Sequence, residues 1–204
     1  FDLGGCLNYF DVKGDFMCFG KGMGNGLPIS AITGSSEFMK IFDKLWVSTT
    51  NASDTLSLAG TMATINEMKD QNTISHCWNV GTKLFDGWNN LAKKYDLNVK
   101  MHGYPIRMTM QCFDSKNQES LAFKALILQE LVKKGIFMSP AVSFISYSHS
   151  VDDINFTLSK FEEVCKFISD KITNDKYERL LEGNLPKAVY TRAIHSTKKR
   201  NDSN

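Results

Sequence analysis

The 204-residue sequence lacks a strong charge of either sign and any long hydrophobic run. Its formal net charge is only +2, so its charge does not point to nucleic acid or an anionic membrane as a partner. No apolar stretch reaches the ~18 residues that a membrane-spanning helix needs. The opening segment, FDLGGCLNYF, has neither the basic nor the apolar region of a secretory signal. These absences predict a cytoplasmic protein that binds neither nucleic acid nor membranes.

Cysteine is present, but in no pattern that would build a cross-linked fold or a metal site. The five cysteines are an odd number, widely spaced and without a C-x-x-C pair. This distribution is typical of reduced, mostly buried thiols in a cytoplasmic protein, and it predicts neither a disulfide framework nor a zinc site. The chain begins with Phe1 rather than Met, which indicates a piece of a longer protein.

The composition is ordinary for a globular chain of one or two domains, with 42% hydrophobic and 23% charged residues. The sequence texture changes after KKYD, and we expect a domain boundary near Tyr95. Residues 1–94 then form a first unit and residues 95–185 a smaller α+β unit. Residues 186–204 form a polar tail that we expect to be partly disordered.

The first unit combines short strands with helices. DFMCFG and LPISAITG are predicted strands on either side of a glycine loop. Ser36 is the predicted N-cap of one helix, and Ser53 or Asp54 of a longer one. A further helix is predicted over 73–94. The longer helix has an apolar face made of these residues: Leu56, Ala59, Met62 and Ala63.

The second unit alternates between strand and helix patterns. VKMHGYPIRMTMQCF predicts two strands around a Gly-Tyr-Pro turn, and IFMS predicts a short third strand. ESLAFKALILQELVKKG is an amphipathic helix that Gly135 should stop. SVDDINFTLSKFEEVCKFISDKI predicts a last helix with Ser150 as its N-cap.

One lysine, Lys21, lies within the glycine-rich stretch GDFMCFGKGMGNGLPISAITG. A lysine in a glycine turn is ordinarily a solvated surface residue, and that alternative stays open. The stretch is not the phosphate-binding pattern G-x-x-x-x-G-K-[ST], because Gly22 follows the lysine. Glycines let backbone approach a ligand closely, and a loop-held lysine commonly forms a Schiff base by attack of its amine on a carbonyl. Lys21 is therefore a candidate nucleophile.

FGKGMGNGLPISAITG resembles the cofactor-lysine segment of class III aminotransferases, which are fold-type I enzymes that use pyridoxal phosphate (PLP). Within that family it is most similar to the glutamate-1-semialdehyde aminomutase-like branch. WVSTTNASDTLSLAGTMATINEM resembles a further segment of the family. MHGYPIRMTMQCF and QELVKKGIFMSPAVSFISYSHSVDDINFTLSKFEE resemble its C-terminal domain. LLEGNLPKAVYTR is similar to an ending of members that accompany polysaccharide or nucleotide-sugar pathways.

The resemblance implies an α/β fold, the C-terminal part of a fold-type I PLP-dependent transferase. Residues 1–94 would be the C-terminal portion of an incomplete large PLP-binding domain, and 95–185 the small α+β C-terminal domain. Lys21 would form the Schiff base with PLP and later move a proton between substrate and cofactor. Thr50 matches the family threonine that donates to the cofactor phosphate across a homodimer with a shared active site. The implied partners are a small-molecule amino donor and acceptor.

The sequence departs from the family pattern near these residues. Gly14 stands in place of the usual proline before Asp15, and ASD replaces Gly-Gly-Glu after Thr50, which alters the phosphate loop. The family's pyridinium-binding aspartate, its stacking aromatic and its main phosphate loop would lie upstream of Phe1. The resemblance therefore implies that the fragment alone is inactive, whereas the full-length protein is an enzyme.

Several functions stay open. The first is PLP-dependent amino transfer through Lys21, on a carbonyl of a small metabolite or a keto-sugar, with glutamate-1-semialdehyde 2,1-aminomutase as its alternative. The second is a catalytically inactive truncated homologue, and the third a generic α/β binding domain. Arg107 is either a carboxylate ligand or an exposed strand residue. Further charged residues have ordinary structural explanations: His102, His149, Asp152 and Asp153.

Overall fold

A computed structural model of the chain describes residues 1–47, 49–171 and 176–185. The tail expected over 186–204 lies outside these described residues. The helices and strands follow in this order: α1 (Gly5–Tyr9), β1 (Phe16–Phe19), β2 (Ala31–Gly34), α2 (Ser36–Met39), α3 (Thr55–Asp70), α4 (Thr73–Lys94), β3 (Val99–Tyr104), β4 (Arg107–Cys112), α5 (Leu121–Lys133), β5 (Ser143–Phe144) and α6 (Val151–Lys171). Short 3-10 turns span Lys21–Met23, Lys40–Lys44 and Tyr177–Leu180. None of the helices in the described ranges is long and apolar enough to cross a membrane.

The described strands form two antiparallel sheets. β1 pairs with β2 over four residues, on either side of the predicted glycine loop. β3, β4 and β5 form the second sheet with β4 in the centre. Tyr104 pairs with Arg107 across the predicted hairpin, and the turn between them contains Pro105 and Ile106. The hairpin prediction is therefore confirmed.

The predicted strand at IFMS is wrong, because residues 136–139 have no strand partner. Gly135 has a left-handed φ of 81°, and the Ile136 amide bonds back to the carbonyl of Leu131, which ends α5 in a Schellman turn. Ile136 and Met138 pack against the core from this irregular segment. Their apolar pattern reflects burial, and the edge of β4 is instead taken by β5, Ser143–Phe144.

The hydrophobic core belongs to the later part of the chain. All fully buried hydrophobic side chains of the described residues lie between Val80 and Tyr177. Trp88 of α4 is completely buried and stacks on Phe161 of α6, with ring centroids 3.5 Å apart and planes 11° apart. A buried side chain of this size contributes about 1.5–3 kcal/mol or more to stability. α4 and α6 therefore hold the core together, with the β3–β4–β5 sheet and α5 around them.

The apolar face predicted for α3 is not covered by any of the residues that the structure describes. Leu56 is 67% exposed and Met62 is 66% exposed, and only Ser57 of this helix is fully buried. The helix predicted after Ser36 is also shorter than expected, since α2 ends at Met39 and continues as a 3-10 turn. Ser35, one residue earlier than predicted, is its N-cap.

The predicted helix caps of the longer helices are confirmed. Asp54 accepts a hydrogen bond of 3.1 Å from the Ser57 amide at the start of α3. Ser150 and Asp153 form a reciprocal capping box before α6, in which each side chain accepts from the other residue's amide, at 3.1 and 2.8 Å. These caps satisfy amide groups that the first turn of a helix leaves unpaired.

One expectation, that the cysteines are mostly buried, is wrong. Of the five cysteines, Cys112 and Cys165 are buried, whereas Cys6 and Cys18 are exposed, so the thiols are not mostly buried. The boundary expected near Tyr95 stays a prediction. α4 lies on its N-terminal side, yet shares its buried face with elements on the other side.

Gly81 of α4 packs closely against the backbone of the hairpin turn. A Cβ at this position would lie 2.6 Å from the carbonyl oxygen of Pro105, a backbone atom that cannot rotate away. We expect Gly81→Ala to lower the free energy of unfolding by about 1–2 kcal/mol, since overpacking outweighs the gain in helix propensity. Urea denaturation measures the difference. Gly183→Ala is the control, because its methyl meets no atom within 4 Å. Unchanged stability in Gly81→Ala would contradict the close contact.

Candidate active site

The candidate site begins with the glycine loop between β1 and β2, which carries Lys21. Gly20 is extended, and a 3-10 turn over Lys21–Met23 starts directly after it. The backbone amides of Met23, Gly24 and Asn25 each donate a hydrogen bond of 3.1–3.2 Å to the carbonyl oxygen three residues earlier. The loop is therefore an ordered series of turns, and its lysine side chain is exposed.

The backbone of Lys21 has a left-handed conformation, with φ of 51°. Residues with a Cβ rarely adopt this region, because Cβ then crowds the following carbonyl oxygen. Such strained residues occur preferentially at active sites, where the surrounding fold holds them in place. The amine of Lys21 makes no hydrogen bond or ion pair within the described residues. Lys21 is therefore an accessible amine on a strained, ordered backbone.

The loop is anchored to α3 through Leu27. A Cβ on Gly60 of α3 would lie 2.1 Å from Cδ1 of Leu27, so Leu27 packs directly on Gly60 and would have to shift if this position carried a side chain. The loop also folds tightly on itself at Gly24, where a Cβ would meet Ile29 at 2.5 Å and the Leu27 carbonyl oxygen at 2.8 Å. The sequence did not indicate this contact, because Gly60 has the appearance of an ordinary small helix residue.

Thr50 lies in the turn that precedes α3, on the wall of an open cavity of about 850 Å³. The Ala52 amide donates a hydrogen bond of 3.0 Å to the Thr49 carbonyl, and the Asp54 amide donates one of 3.3 Å to the Asn51 carbonyl. The cavity walls come from three places: residues 28–30 and 32, the pair Met39 and Phe42, and residues 47, 49–54 and 58. Hydroxyl and amide groups of the turn therefore face the same space as apolar side chains of β2 and α2.

The ASD segment keeps a glycine-like backbone although it contains no glycine. Ser53 has a left-handed φ of 66° at the position where the family pattern has Gly. Asp54 caps α3, and the Ser57 hydroxyl, followed by the Ser57 amide, holds the pKa of Asp54 below its usual value. One carboxylate oxygen of Asp54 thus already accepts hydrogen bonds from the first turn of α3.

Lys21 and Thr50 do not line the same cavity. The structure instead connects both to α3, since Thr50 precedes its N-cap and Leu27 of the lysine loop contacts Gly60. From Asp54 to Gly60 the helix rises about 9 Å, at 1.5 Å per residue. One helix therefore fixes the spacing between the two segments that the sequence singled out.

The other residues singled out have separate environments. Arg107 opens β4 and is exposed beside Phe144, and His102 is exposed on β3. Nδ1 of His149 accepts a hydrogen bond of 3.0 Å from the Ser146 amide. Asp152 and Asp153 lie in the first turn of α6. No group of three or more His, Cys, Asp or Glu within the described ranges could hold a metal ion.

The donor groups of these residues suit two of the functional groups of PLP, its aldehyde and its phosphate. An unpaired lysine amine suits the aldehyde, and a turn rich in hydroxyl and amide groups suits the phosphate. The unpaired amine is that of Lys21, and the turn is formed by Thr49, Thr50 and Asn51.

Comparisons with known proteins agree with this description. A glutamate-1-semialdehyde 2,1-aminomutase of Clostridium beijerinckii is 30% identical over 174 residues, which are 78% of this chain and 40% of that protein. An omega-transaminase structure from Sphaerobacter thermophilus is similar with a TM-score of 0.69 at 18% identity, over 80% of this chain and 41% of that one. A transaminase structure with PLP bound gives 0.70 at 16% identity, over 82% and 41%.

These matches show the fold of the chain and the share of its relatives' length that it covers. The chain has the α/β fold of part of a fold-type I PLP transaminase, and it spans about 40% of the length of the relatives it matches. A family model, that of the class-III aminotransferases, matches residues 4–164. The chain belongs to the class-III aminotransferase family.

Proposed function

We propose that this chain is the lysine-bearing part of a PLP-dependent aminotransferase and that Lys21 is its catalytic residue. When bound, PLP supplies an aldehyde and a ring that accepts electrons from the substrate. The chain's own contribution is the Nζ amine of Lys21, which would hold the cofactor and then carry a proton to and from the substrate as general base and acid. The observation that carries the proposal is the exposed, unpaired amine of Lys21 on a left-handed backbone.

The anchoring of the loop supports this role. A proton-transfer group must be held near the reacting atom, because small displacements reduce the rate strongly. The contact of Leu27 with Gly60 fixes the loop to α3, while the long side chain of Lys21 stays free to move. A fixed backbone with a mobile amine suits a residue that first holds a cofactor and then transfers a proton.

Thr50 is the proposed phosphate ligand. Its hydroxyl is exposed on the cavity wall, where it can donate to an anionic oxygen. Because Lys21 does not line this cavity, we propose that the Thr50 of one subunit serves the cofactor held by Lys21 of the other. The exposed apolar residues Leu56 and Met62 of α3, on the same stretch of chain, support a covering subunit and hence a homodimer.

The proposed substrates are a small-molecule amino donor and a carbonyl acceptor, either a small metabolite or a keto-sugar. A second candidate is glutamate-1-semialdehyde 2,1-aminomutation, which the 30% identical relative of that name favours. Both reactions exchange an amino group and a carbonyl, so both can use Lys21 and Thr50. Amino transfer and aminomutation assays on the longer protein distinguish the two.

Because the chain covers less than half of its relatives, we propose that it is active only as part of a longer protein. Since the chain spans about 40% of its relatives, the remaining cofactor contacts would come from sequence outside it. We propose that residues 1–94 are the C-terminal portion of the large PLP-binding domain, and residues 95–185 the small domain. A truncated, inactive homologue remains the alternative, and an upstream half without a pyridinium-binding aspartate would favour it.

Peptide mapping tests the proposal directly. The longer protein is loaded with PLP and reduced with borohydride, and the pyridoxyl group is expected on Lys21. Its recovery on Lys13, Lys40 or Lys44 would refute the assignment.

Thr50→Val removes the proposed phosphate donor while keeping the shape of the side chain. We expect PLP retention to weaken by about 1.5–3 kcal/mol, which is roughly tenfold or more, because a charge-assisted hydrogen bond is lost. Equilibrium dialysis of the longer protein measures the change. Thr55→Val is the matched control, since Thr55 is exposed in α3 and does not line the cavity.

Mixed dimers test whether Thr50 acts on the partner's cofactor. One subunit carries Lys21→Ala and the other carries Thr50→Val, so only a shared arrangement rebuilds one intact site per dimer. We expect activity to rise above that of either variant alone. A mixture no more active than Thr50→Val dimers would place Thr50 within its own subunit.

A further inference from the structure

A second cavity, of about 270 Å³, lies where the start of α4 meets β4 and β5. Neither Lys21 nor Thr50 lines it. Six of its lining residues determine the polarity of its wall: Ile74, Cys77, Trp78, Arg107, Phe144 and Ile145. The wall is therefore largely apolar, with one cationic side chain.

Arg107 has no anionic partner within the described residues. It forms none of the ion pairs found there, and no Asp or Glu lines the cavity. The ring centroid of Phe144 lies 5.9 Å from Cζ of Arg107. Phe144 is 65% exposed, although it pairs with Arg107 in the sheet. An uncompensated guanidinium thus stands at the edge of an apolar cavity.

Two further polar groups of the wall, on Cys77 and Trp78, are neutral or already paired. Burial raises the pKa of Cys77, which keeps its thiol neutral and uncharged. Nε1 of Trp78 donates a hydrogen bond of 2.9 Å to the Phe1 carbonyl, so the polar atom of the indole is already satisfied. Trp78, Ile74 and Ile145 therefore present hydrocarbon surface to a ligand.

We propose that this cavity binds a small organic monocarboxylate, with its carboxylate on Arg107 and its apolar body against Trp78, Ile74 and Ile145. A guanidinium offers two parallel N–H groups that match one carboxylate. A phosphate carries more charge and more acceptor oxygens than one guanidinium can pair, so a single arginine favours a monocarboxylate here. The volume lies near the lower end of small-molecule sites. The proposal does not depend on the function proposed for Lys21.

A matched pair of probes tests the proposal on the 204-residue chain. 3-Phenylpropanoate and 3-phenylpropan-1-ol share an apolar body and differ in the carboxylate. Isothermal titration gives both affinities, and quenching of tryptophan fluorescence provides a second readout, because Trp78 lines the cavity. We expect the acid to bind roughly tenfold more tightly than the alcohol.

Variants connect that preference to one side chain. Arg107→Gln is expected to abolish the preference for the acid while leaving the affinity for the alcohol unchanged. Arg179→Gln is the control, since Arg179 is exposed and does not line the cavity, and it should keep the full preference. Equal affinities of the two probes in the parent, binding of neither probe, or an acid preference that survives Arg107→Gln would each overturn the proposal.

Discussion

Lys21→Ala is expected to reduce amino transfer by the longer protein at least about a thousandfold, since nucleophile and proton-transfer group are lost together. It should also abolish covalent trapping of PLP by borohydride. The physical reason is that the proposed reaction needs an amine, and Lys21 presents one from the ordered turn that starts after Gly20. Turnover with the amino donor and the visible absorbance of bound cofactor are the measurements.

Neighbouring lysines provide the control for this prediction. Lys13 is exposed before β1, outside the loop, and Lys13→Ala should keep both activity and trapping near the parent level. Lys21→Arg separates charge from chemistry, because arginine keeps a cation but remains protonated and is a poor nucleophile. Substantial activity in Lys21→Arg would show that the residue acts through its charge alone.

Trp88→Ala is expected to cost about 3–5 kcal/mol of unfolding free energy, a large share of the 5–15 kcal/mol typical of a domain. The indole is completely buried and stacked on Phe161, so alanine leaves a cavity between α4 and α6. Urea denaturation followed by circular dichroism measures the loss. Trp46→Ala is the matched control, since Trp46 is 96% exposed and its loss should change stability by less than about 0.5 kcal/mol.

A phenylalanine at the same position refines the test. Nε1 of Trp88 is buried and has no hydrogen-bond partner within the described residues. An unpaired buried N–H costs about 1–3 kcal/mol, and Trp88→Phe removes it while keeping an aromatic ring on Phe161. We therefore expect Trp88→Phe to lose less than half of what Trp88→Ala loses. Equal losses in the two variants would contradict the cost assigned to the N–H.

The sequence predicted the long helices and the hairpin well because their signals are local. The helix over 73–94 repeats its apolar residues at helical spacing, and its bounds agree with α4. Asp54, Gly135 and Ser150 end or begin helices through short-range chemistry that the sequence shows directly. Features that depend on neighbouring residues along the chain were therefore predictable.

Features that depend on distant partners were not. The IFMS segment is apolar because Ile136 and Met138 pack on the core, and only the tertiary structure shows that no strand adjoins it. The apolar face of α3 was recognised, but the sequence does not show that this chain leaves it uncovered.

The candidate site also has features that the sequence shows and features that only the structure shows. The glycine-rich setting of Lys21 and a family resemblance indicate this residue from the sequence. Its left-handed φ and the contact of Leu27 with Gly60 are visible only in the structure. Cavities are also invisible in a sequence, because residues such as Ile74, Arg107 and Phe144 meet only through the fold. The assignments of Lys21 and Thr50 themselves stay predictions.

The position of the core in the later part of the chain has a consequence for biosynthesis. A ribosome releases α3 before Val80, the first fully buried hydrophobic residue described. The apolar face of α3 therefore emerges before the packing of α4 on α6 can form, whatever precedes it in a longer protein. Apolar surface that is exposed in this way during synthesis is prone to aggregate and is a substrate for chaperones.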